Sequence, residues 1–183
     1  MGFSCVTILR ETSAICKEGF SLRPQVTDAE TRANTPVMKA LPDLEDFLAG
    51  VLEDLGCQTG TIHRTVPNGG FLELEASIGV PEFVLDKIRH IPFGKGIAGA
   101  AAERCEPVEL CNLQVDLEGV AREDARKTNV AGALAVPVTG YGSGKVLGTL
   151  GIGKHVPHDF TDAEKNHLAI HAERLATIFT SES

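Results

Sequence analysis

The stretch that decides the fold is residues 131–152, which read AGALAVPVTGYGSGKVLGTLGI. Two apolar runs, Ala131 to Thr139 and Lys145 to Ile152, flank a glycine-rich turn at residues 140–144. Apolar runs of this length, bounded by turn residues, predict buried strands. Because so short a turn can join only neighbouring antiparallel strands, the stretch predicts a hairpin within an antiparallel sheet.

A second hairpin is predicted upstream, from residues 59–66 to residues 71–78. Its turn contains Asn68-Gly69, a pair that readily adopts the positive φ angles of tight turns. In the second strand apolar residues alternate with polar ones, at Leu72, Leu74, Ala76 and Ile78, so one face is predicted to be buried. A further short strand is predicted over residues 108–111.

Amphipathic helices are predicted at both ends of this arrangement. The first covers residues 43–55, with Pro42 suited to a first helical position and Gly56 as its stop. The last opens at Thr161 with a capping box that includes Glu164, and is predicted to run to about residue 179.

Three further helical segments are predicted between the strands, over residues 81–90, 97–104 and 118–128. The long middle insertion is expected to lie over one sheet face. The predicted fold is therefore α+β, with a central antiparallel sheet of five to six strands and helices on both faces. Residues 1–40 are interpreted as an N-terminal extension, and residues 41–183 as a single domain.

Composition excludes several classes of protein. The formal charge is −8, from 25 acidic and 17 basic residues, and no basic cluster of the kind that displaces counterions from phosphate is present. We therefore expect no nucleic-acid binding. No apolar run approaches the roughly 18 residues that span a bilayer, so no membrane contact is expected. Five cysteines, without a C-x-x-C pair, predict reduced thiols and a cytoplasmic location.

The chain resembles the GAF domain family over about residues 41–179. The resemblance is carried by four stretches in order, residues 93–101, 133–138, 148–152 and 160–164. It implies a pocket between one face of the sheet and the middle helices. It also implies that the first and last helices lie together on the other face, where they often form a dimer. A stand-alone sensory or regulatory domain in signal transduction is the function that this resemblance implies.

The turn Gly94-Lys95-Gly96, which opens a helix, is the most suggestive site. Exposed amides at a helix N-terminus beside Lys95 favour an anion or a ligand carboxylate. The alternative is that the glycines only permit a tight turn. We predict that a small molecule or anion, still unidentified, lies against Phe93, Gly94, Gly96, Ile97 and Ala98, with Asn112 and Leu113 across the pocket.

One enzymatic alternative comes from the same family, which includes the reductase for free methionine-R-sulfoxide. The cysteine of its helix-opening motif is replaced here by Ala98, and residues 118–122 lack its second cysteine. Cys105 and Cys111 could form a redox pair, but thiol chemistry needs a thiolate and a resolving partner at the matching positions. We therefore predict that the chain has no catalytic residues and is not an enzyme.

Histidines suggest two other sites. His155 and His158 lie in a loop, whereas His167 and His171 lie four apart on one helix, a spacing able to bind Zn²⁺ or Ni²⁺. No carboxylate or cysteine lies at ligand spacing beside them, and we interpret all four as solvated or packing residues, with no metal site. Haem is the second possibility, with His63 and His90 as candidate axial ligands.

Two functional hypotheses remain. One is a sensory domain whose ligand moves the dimer helices and so alters a partner protein. The other is an interaction or dimerisation module whose pocket is filled by its own side chains. In both, a homodimer is predicted through the first and last helices, where Leu48, Leu52, Leu168 and Leu175 could serve either the core or the partner.

Overall fold

The computed structural model describes residues 43–67, 70–111 and 130–181. The remaining residues include the predicted extension, the Asn68-Gly69 turn and the predicted helix over residues 118–128, so these predictions lie outside the described residues. The described elements, in chain order, are α1 (Leu44–Leu55), β1 (Thr59–Thr65), β2 (Phe71–Ile78), α2 (Glu82–Ile88), β3 (His90–Pro92), α3 (Gly96–Arg104), β4 (Val108–Leu110), β5 (Gly132–Thr139), β6 (Val146–Lys154) and α4 (Asp162–Ser181).

The six strands form one sheet in the order β3-β2-β1-β6-β5-β4, and every neighbouring pair is antiparallel. Helices α1 and α4 pack on one face, while α2 and α3 lie on the other. The α+β fold and the antiparallel sheet are therefore confirmed. The β5–β6 hairpin forms as predicted, with Val136 opposite Leu150 near its middle.

One predicted helix ends too late. The prediction of a helix over residues 81–90 was wrong at its C-terminal end. Helix α2 ends at Ile88, and His90–Pro92 form the edge strand β3. Pro92 explains the change, since the residue before a proline is driven towards extended conformations. Ile91 consequently pairs with Leu72 of β2.

Strand β2 does not keep its apolar residues on one face. The β1–β2 register shifts so that Ile62 pairs with Ala76 and His63 pairs with Leu74, which leaves Glu75 as an extra residue. Such a bulge redirects the side chains that follow it. Ala76 therefore joins the core beneath α1 and α4, whereas Leu72 joins a separate cluster on the other face.

The ends of α1 and α4 follow from local chemistry. The N-cap of α1 is Asp43, whose carboxylate accepts a hydrogen bond from the Glu45 amide at 2.9 Å, so the helix begins two residues after Pro42. Gly56 ends it in the left-handed conformation, with φ of 60°. At α4 the capping box is confirmed, with Thr161 N donating to Glu164 at 2.8 Å and Glu164 N donating to the Thr161 hydroxyl at 3.2 Å.

The largest core cluster lies between the sheet and helices α1 and α4. Leu48, Leu52, Leu168 and Leu175 are all buried in it, so the structure assigns these leucines to the core rather than to a partner. Gly148 lets the layers approach, because a Cβ there would lie 2.1 Å from the His63 carbonyl oxygen and 2.8 Å from the Phe179 ring. None of the described helices has the length and apolar character that crossing a membrane requires.

Candidate functional site

A cavity of about 170 Å³ lies between the sheet and helices α2 and α3. Strands β1, β5 and β6 form its floor, and the two helices form its walls. Its lining among the described residues consists of Thr59, Gly60, Thr61, Val80, Pro81, Val84, Ile88, Ile97, Ala98, Val130, Ala133, Leu134, Ala135, Gly151, Ile152 and Gly153. The cavity therefore lies on the face that the resemblance implied.

The floor of the cavity is made of small residues. Thr59 pairs with Gly153 across the β1–β6 ladder, and Thr61 pairs with Gly151. A Cβ on Gly153 would lie 2.5 Å from the Thr59 hydroxyl oxygen, so glycine leaves the space that this side chain occupies. Ala133 and Ala135 of β5 continue the floor. The two threonine hydroxyls are thus the side-chain polar groups of the described lining, which contains no charged residue.

The backbone conformation of the turn before α3 requires glycine at two of its positions. Gly94 and Gly96 have φ of 77° and 65°, in the left-handed region that side chains rarely adopt. Gly94 N donates to the Gly99 carbonyl at 2.8 Å, which closes the turn against the helix. The Glu103 carboxylate lies beside it, since a Cβ on Gly94 would lie 2.8 Å from Oε1 of Glu103. An anionic ligand at this turn would be repelled by the negative charge of Glu103.

The seven residues predicted to bind ligand are only partly brought together. Ile97 and Ala98 line the cavity. Phe93 packs in the second core cluster with Leu72 and Ile91, and Gly94 and Gly96 form the turn instead of lining the cavity. Asn112 and Leu113 lie outside the described residues. Ligand binding at all seven remains a prediction.

Sequence reasoning missed the floor of the cavity and the α2 wall. Thr59, Thr61, Val84 and Ile88 contribute to the lining but were not selected. A signal was present in Gly151 and Gly153, two residues apart on one face of β6, because glycine inside a strand often marks the close approach of a ligand or of another backbone. These glycines identify a cavity floor only when their partners on β1, Thr61 and Thr59, are known.

A buried polar row lies next to the cavity on the same face of the sheet. His63 is 1% exposed, and its Nε2–H donates to the Ile88 carbonyl at 3.0 Å, which ties β1 to the end of α2. The other ring nitrogen of His63 and the hydroxyls of Thr65 and Thr149 are buried without a hydrogen-bond partner. Burial lowers the pKa of His63 to about 4, despite the backbone hydrogen bond, so the ring is neutral near pH 7.

The two loop histidines differ from this buried ring. His155 is exposed, while His158 is half-buried, with its Nε2 2.9 Å from Oε1 of Glu164. Lys154 also donates to Glu164, at 3.1 Å. Burial would raise the pKa of Glu164, but hydrogen bonds from Thr161, Lys154 and His158 outweigh it and lower the pKa to about 2. The haem candidate His90 lies exposed on β3, and neither it nor His63 lines the cavity.

Three side chains on the opposite face form a cluster with metal-binding chemistry. Asp54, His167 and His171 each place one ligand atom within 4.8 Å of the others. Burial, followed by the charge of His167, lowers the pKa of His171. The sequence offered no carboxylate at ligand spacing beside this histidine pair, but Asp54 reaches it from α1 across the fold. The absence of a metal site remains a prediction.

Three cysteines, Cys57, Cys105 and Cys111, are present as thiols in the described part of the chain. Burial raises the pKa of Cys57 to about 11, so its thiol is a poor nucleophile near pH 7. Cys105 is exposed at the end of α3, where it adopts φ of 54°. Ala98 occupies the helix position at the cavity wall where the resemblance would require a cysteine.

The family model described as GAF domain matches residues 39–180. No curated protein matches the chain in sequence.

Solved structures with the same fold include two GAF domains and a methionine-sulfoxide reductase. The GAF domain of a phosphoenolpyruvate-protein phosphotransferase from Coxiella burnetii is 24% identical, with a TM-score of 0.65 over 78% of this chain and 85% of that chain. Free methionine-R-sulfoxide reductase from Neisseria meningitidis is 19% identical, with a TM-score of 0.62 over 75% of each chain. The GAF domain of A. aeolicus Nlh2 is 18% identical, with a TM-score of 0.59 over 82% and 89%. At these identities the likeness shows the fold alone.

Proposed function

The chain belongs to the GAF domain family, and from this premise we propose that it is a sensory domain that binds a small molecule in the cavity between the sheet and helices α2 and α3. The cavity itself is the observation that carries the proposal. Its floor is held open by glycine, alanine and threonine, residues too small to fill the space beneath the two helices.

The cavity favours an uncharged, mostly apolar ligand. Its described lining carries no ionisable side chain, and moving a charge into such surroundings without a partner costs several kcal/mol or more. An apolar protein cavity of about 150 Å³ is large enough for benzene. A ligand of about one ring, with one or two groups that hydrogen-bond to Thr59 or Thr61, therefore suits this space.

The sheet offers a physical route from the cavity to the rest of the domain. Strands β5 and β6 form part of the cavity floor, and α4 packs on their other side. A ligand with different affinity for two positions of α4 would couple cavity and helix, with a useful coupling of about 1–3 kcal/mol. We propose that this movement alters a partner protein in the cytoplasm.

We also propose that the chain binds its ligand without catalysis. Ala98 at the cavity wall has no thiol, and the half-buried Cys57 has a raised pKa of about 11. Assay of free methionine-R-sulfoxide reduction with excess reductant should give no turnover above a buffer control. Turnover lost in a Cys105→Ser/Cys111→Ser variant would overturn the non-enzymatic proposal.

Native mass spectrometry of untagged, freshly purified protein tests ligand binding directly. We expect a discrete mass on the native species that is absent after denaturation. Ala98→Leu adds three carbon atoms at the cavity wall and should reduce occupancy at least about tenfold. Ala163→Leu adds the same atoms on the exposed first turn of α4, and should leave occupancy unchanged.

Equal native and denatured masses, followed by no binding in a screen of ring-sized uncharged compounds, would contradict the sensory proposal. That result would favour the alternative of an interaction module without a ligand.

A homodimer through α1 and α4 is a separate proposal. With the four leucines in the core, its support is Ile170, which is 56% exposed on α4. Light scattering after size exclusion should give a dimer mass that Ile170→Lys reduces to a monomer. A monomeric parent protein at high concentration would refute this proposal.

A further inference from the structure

Helices α1 and α4 bring three potential metal ligands together on the face of the sheet that is remote from the cavity. Asp54 lies in the last turn of α1, while His167 and His171 lie one turn apart on α4. The two imidazole rings are stacked, with their centroids 5.0 Å apart and 30° between their planes. A histidine pair spaced by one helical turn presents both rings on the same side of the helix.

The distances between the ligand atoms of this cluster are close to those between the ligands of a bound metal ion. Nε2 of His171 lies 3.3 Å from Oδ2 of Asp54. Two ligands of a tetrahedral zinc ion, with bonds of about 2.0–2.1 Å, lie about 3.4 Å apart. The ligand atom of His167 completes a group within 4.8 Å, and its side chain is exposed and able to turn towards the other two.

His171 provides an independent sign of a missing partner. The residue is 4% exposed, its Nδ1 has no hydrogen-bond partner, and Asp54 is the polar contact of its Nε2. At 3.3 Å, the contact of Nε2 with Oδ2 of Asp54 is longer than a typical N–H···O hydrogen bond. Buried polar groups without partners are rare in proteins, and each one requires an explanation. A bound cation on a ring nitrogen would satisfy this group.

We propose that Asp54, His167 and His171 bind one divalent transition-metal ion, of the Zn²⁺, Co²⁺ and Ni²⁺ class, which ties α1 to α4. Two imidazoles and one carboxylate suit these ions, whereas Ca²⁺ and Mg²⁺ prefer sets of oxygen ligands. Three protein ligands leave one position of a tetrahedral ion for water.

Two neighbouring side chains, Arg174 and Phe47, have opposite effects on cation binding at this site. Arg174 follows His171 by three residues, and its positive charge weakens cation binding. That guanidinium is directed over the Phe47 ring, at 5.8 Å from its centroid. The same Phe47 ring contacts His171 edge-on, at 6.2 Å between centroids, and so restricts its orientation. A metal affinity below that of a closed four-ligand site is expected.

The other late histidines serve as an internal comparison. His158 already has Glu164 and Lys154 as polar partners. His155 is exposed and belongs to no three-residue cluster of possible metal ligands in the described part of the chain. His155 is therefore the matched control, a histidine of the same chain whose loss should leave the proposed site intact.

The experiment is a titration of the full chain, first treated with chelator, with Co²⁺ and then Zn²⁺. Visible absorption measures cobalt binding, and calorimetry measures stoichiometry. We expect one ion per chain and a rise in Tm with metal. His167→Ala and Asp54→Asn, both at exposed positions, should each weaken binding at least about tenfold. His155→Ala should bind as the parent does.

Several outcomes would overturn the proposal. They are no binding at millimolar Co²⁺, binding that survives both His167→Ala and Asp54→Asn, or equal weakening by His155→Ala. Circular dichroism of each variant without metal shows whether its fold is intact. If one variant unfolds, the other decides, because Asp54 and His167 lie on different helices and affect the fold independently.

Discussion

The two faces of the sheet are built from the same strands but differ in what covers them. Beneath α1 and α4 lies a continuous leucine-rich core that includes Leu150, Leu168 and Leu175, each at 0% exposure. Beneath α2 and α3 lie smaller clusters, a cavity of about 170 Å³ and the buried polar row around His63. The first face supplies most of the packing, and the second provides room for a ligand.

This difference shows how one sheet can serve both stability and binding. On strand β6, Leu150 and Ile152 contribute to the leucine-rich core, whereas Gly151 and Gly153 help to line the cavity. Alternation along a strand therefore allows the two faces to be specified separately. Changes on the packed face should chiefly alter folding, and changes on the cavity face should chiefly alter binding.

The largest expected effect comes from removing a side chain on the packed face. Leu168→Ala should lower the free energy of unfolding by about 3 kcal/mol, because it leaves a void in a fully buried core. Ile97→Ala, beside existing space, should cost only about 1 kcal/mol. Urea denaturation measures both. Equal losses would contradict the distinction between the faces.

The buried ring of His63 gives the cavity face a pH dependence. Its pKa of about 4 is below the ordinary value of 6.5, so the unfolded state binds more protons between these values and stability falls with falling pH. The loss attributable to His63 between pH 7 and pH 5 should be about 2 kcal/mol.

Denaturation at several pH values checks this contribution in the parent and in His63→Gln. Because His171 also has a lowered pKa, the quantity to compare is the difference between the two proteins. Parallel pH profiles would refute the assignment to His63.

Enlarging a side chain should also distinguish the two faces, because only the cavity face has space for the added atoms. Ala172→Leu places a larger side chain in the packed core and should cost about 1.5 kcal/mol through strain. Ala98→Leu extends into the cavity and should change stability by less than about 0.5 kcal/mol. Thermal and urea unfolding compare the pair. If Ala98→Leu lowers the free energy of unfolding more than Ala172→Leu does, the cavity cannot accept a larger side chain and this distinction between the faces is wrong.

The smallest effect concerns the start of the helix that covers the packed face. Thr161→Ala removes the hydroxyl that accepts from Glu164 N at 3.2 Å, and should cost about 1 kcal/mol. Thr177→Ala, at an exposed position within α4, is the control and should be nearly neutral. A similar loss in both variants would indicate that the cap contributes nothing specific.

The amount that could be predicted from sequence depended on how local each signal was. The β5–β6 hairpin and the capping box at Thr161 and Glu164 were predicted correctly, because their partners lie within a few residues. Strand β3 was missed, since its three residues carry little pattern apart from Pro92. The bulge at Glu75 was also missed, because alternation in one strand says nothing about its pairing.

By itself, the sequence determined the α+β class, most strand and helix positions and the family resemblance. Hydrophobic periodicity, caps and turn glycines encode these properties locally. Only the tertiary structure decided which small residues face each other across the cavity, and that Asp54 joins His167 and His171. Both depend on strand register and helix packing between distant segments, which are set by the fit of the whole core.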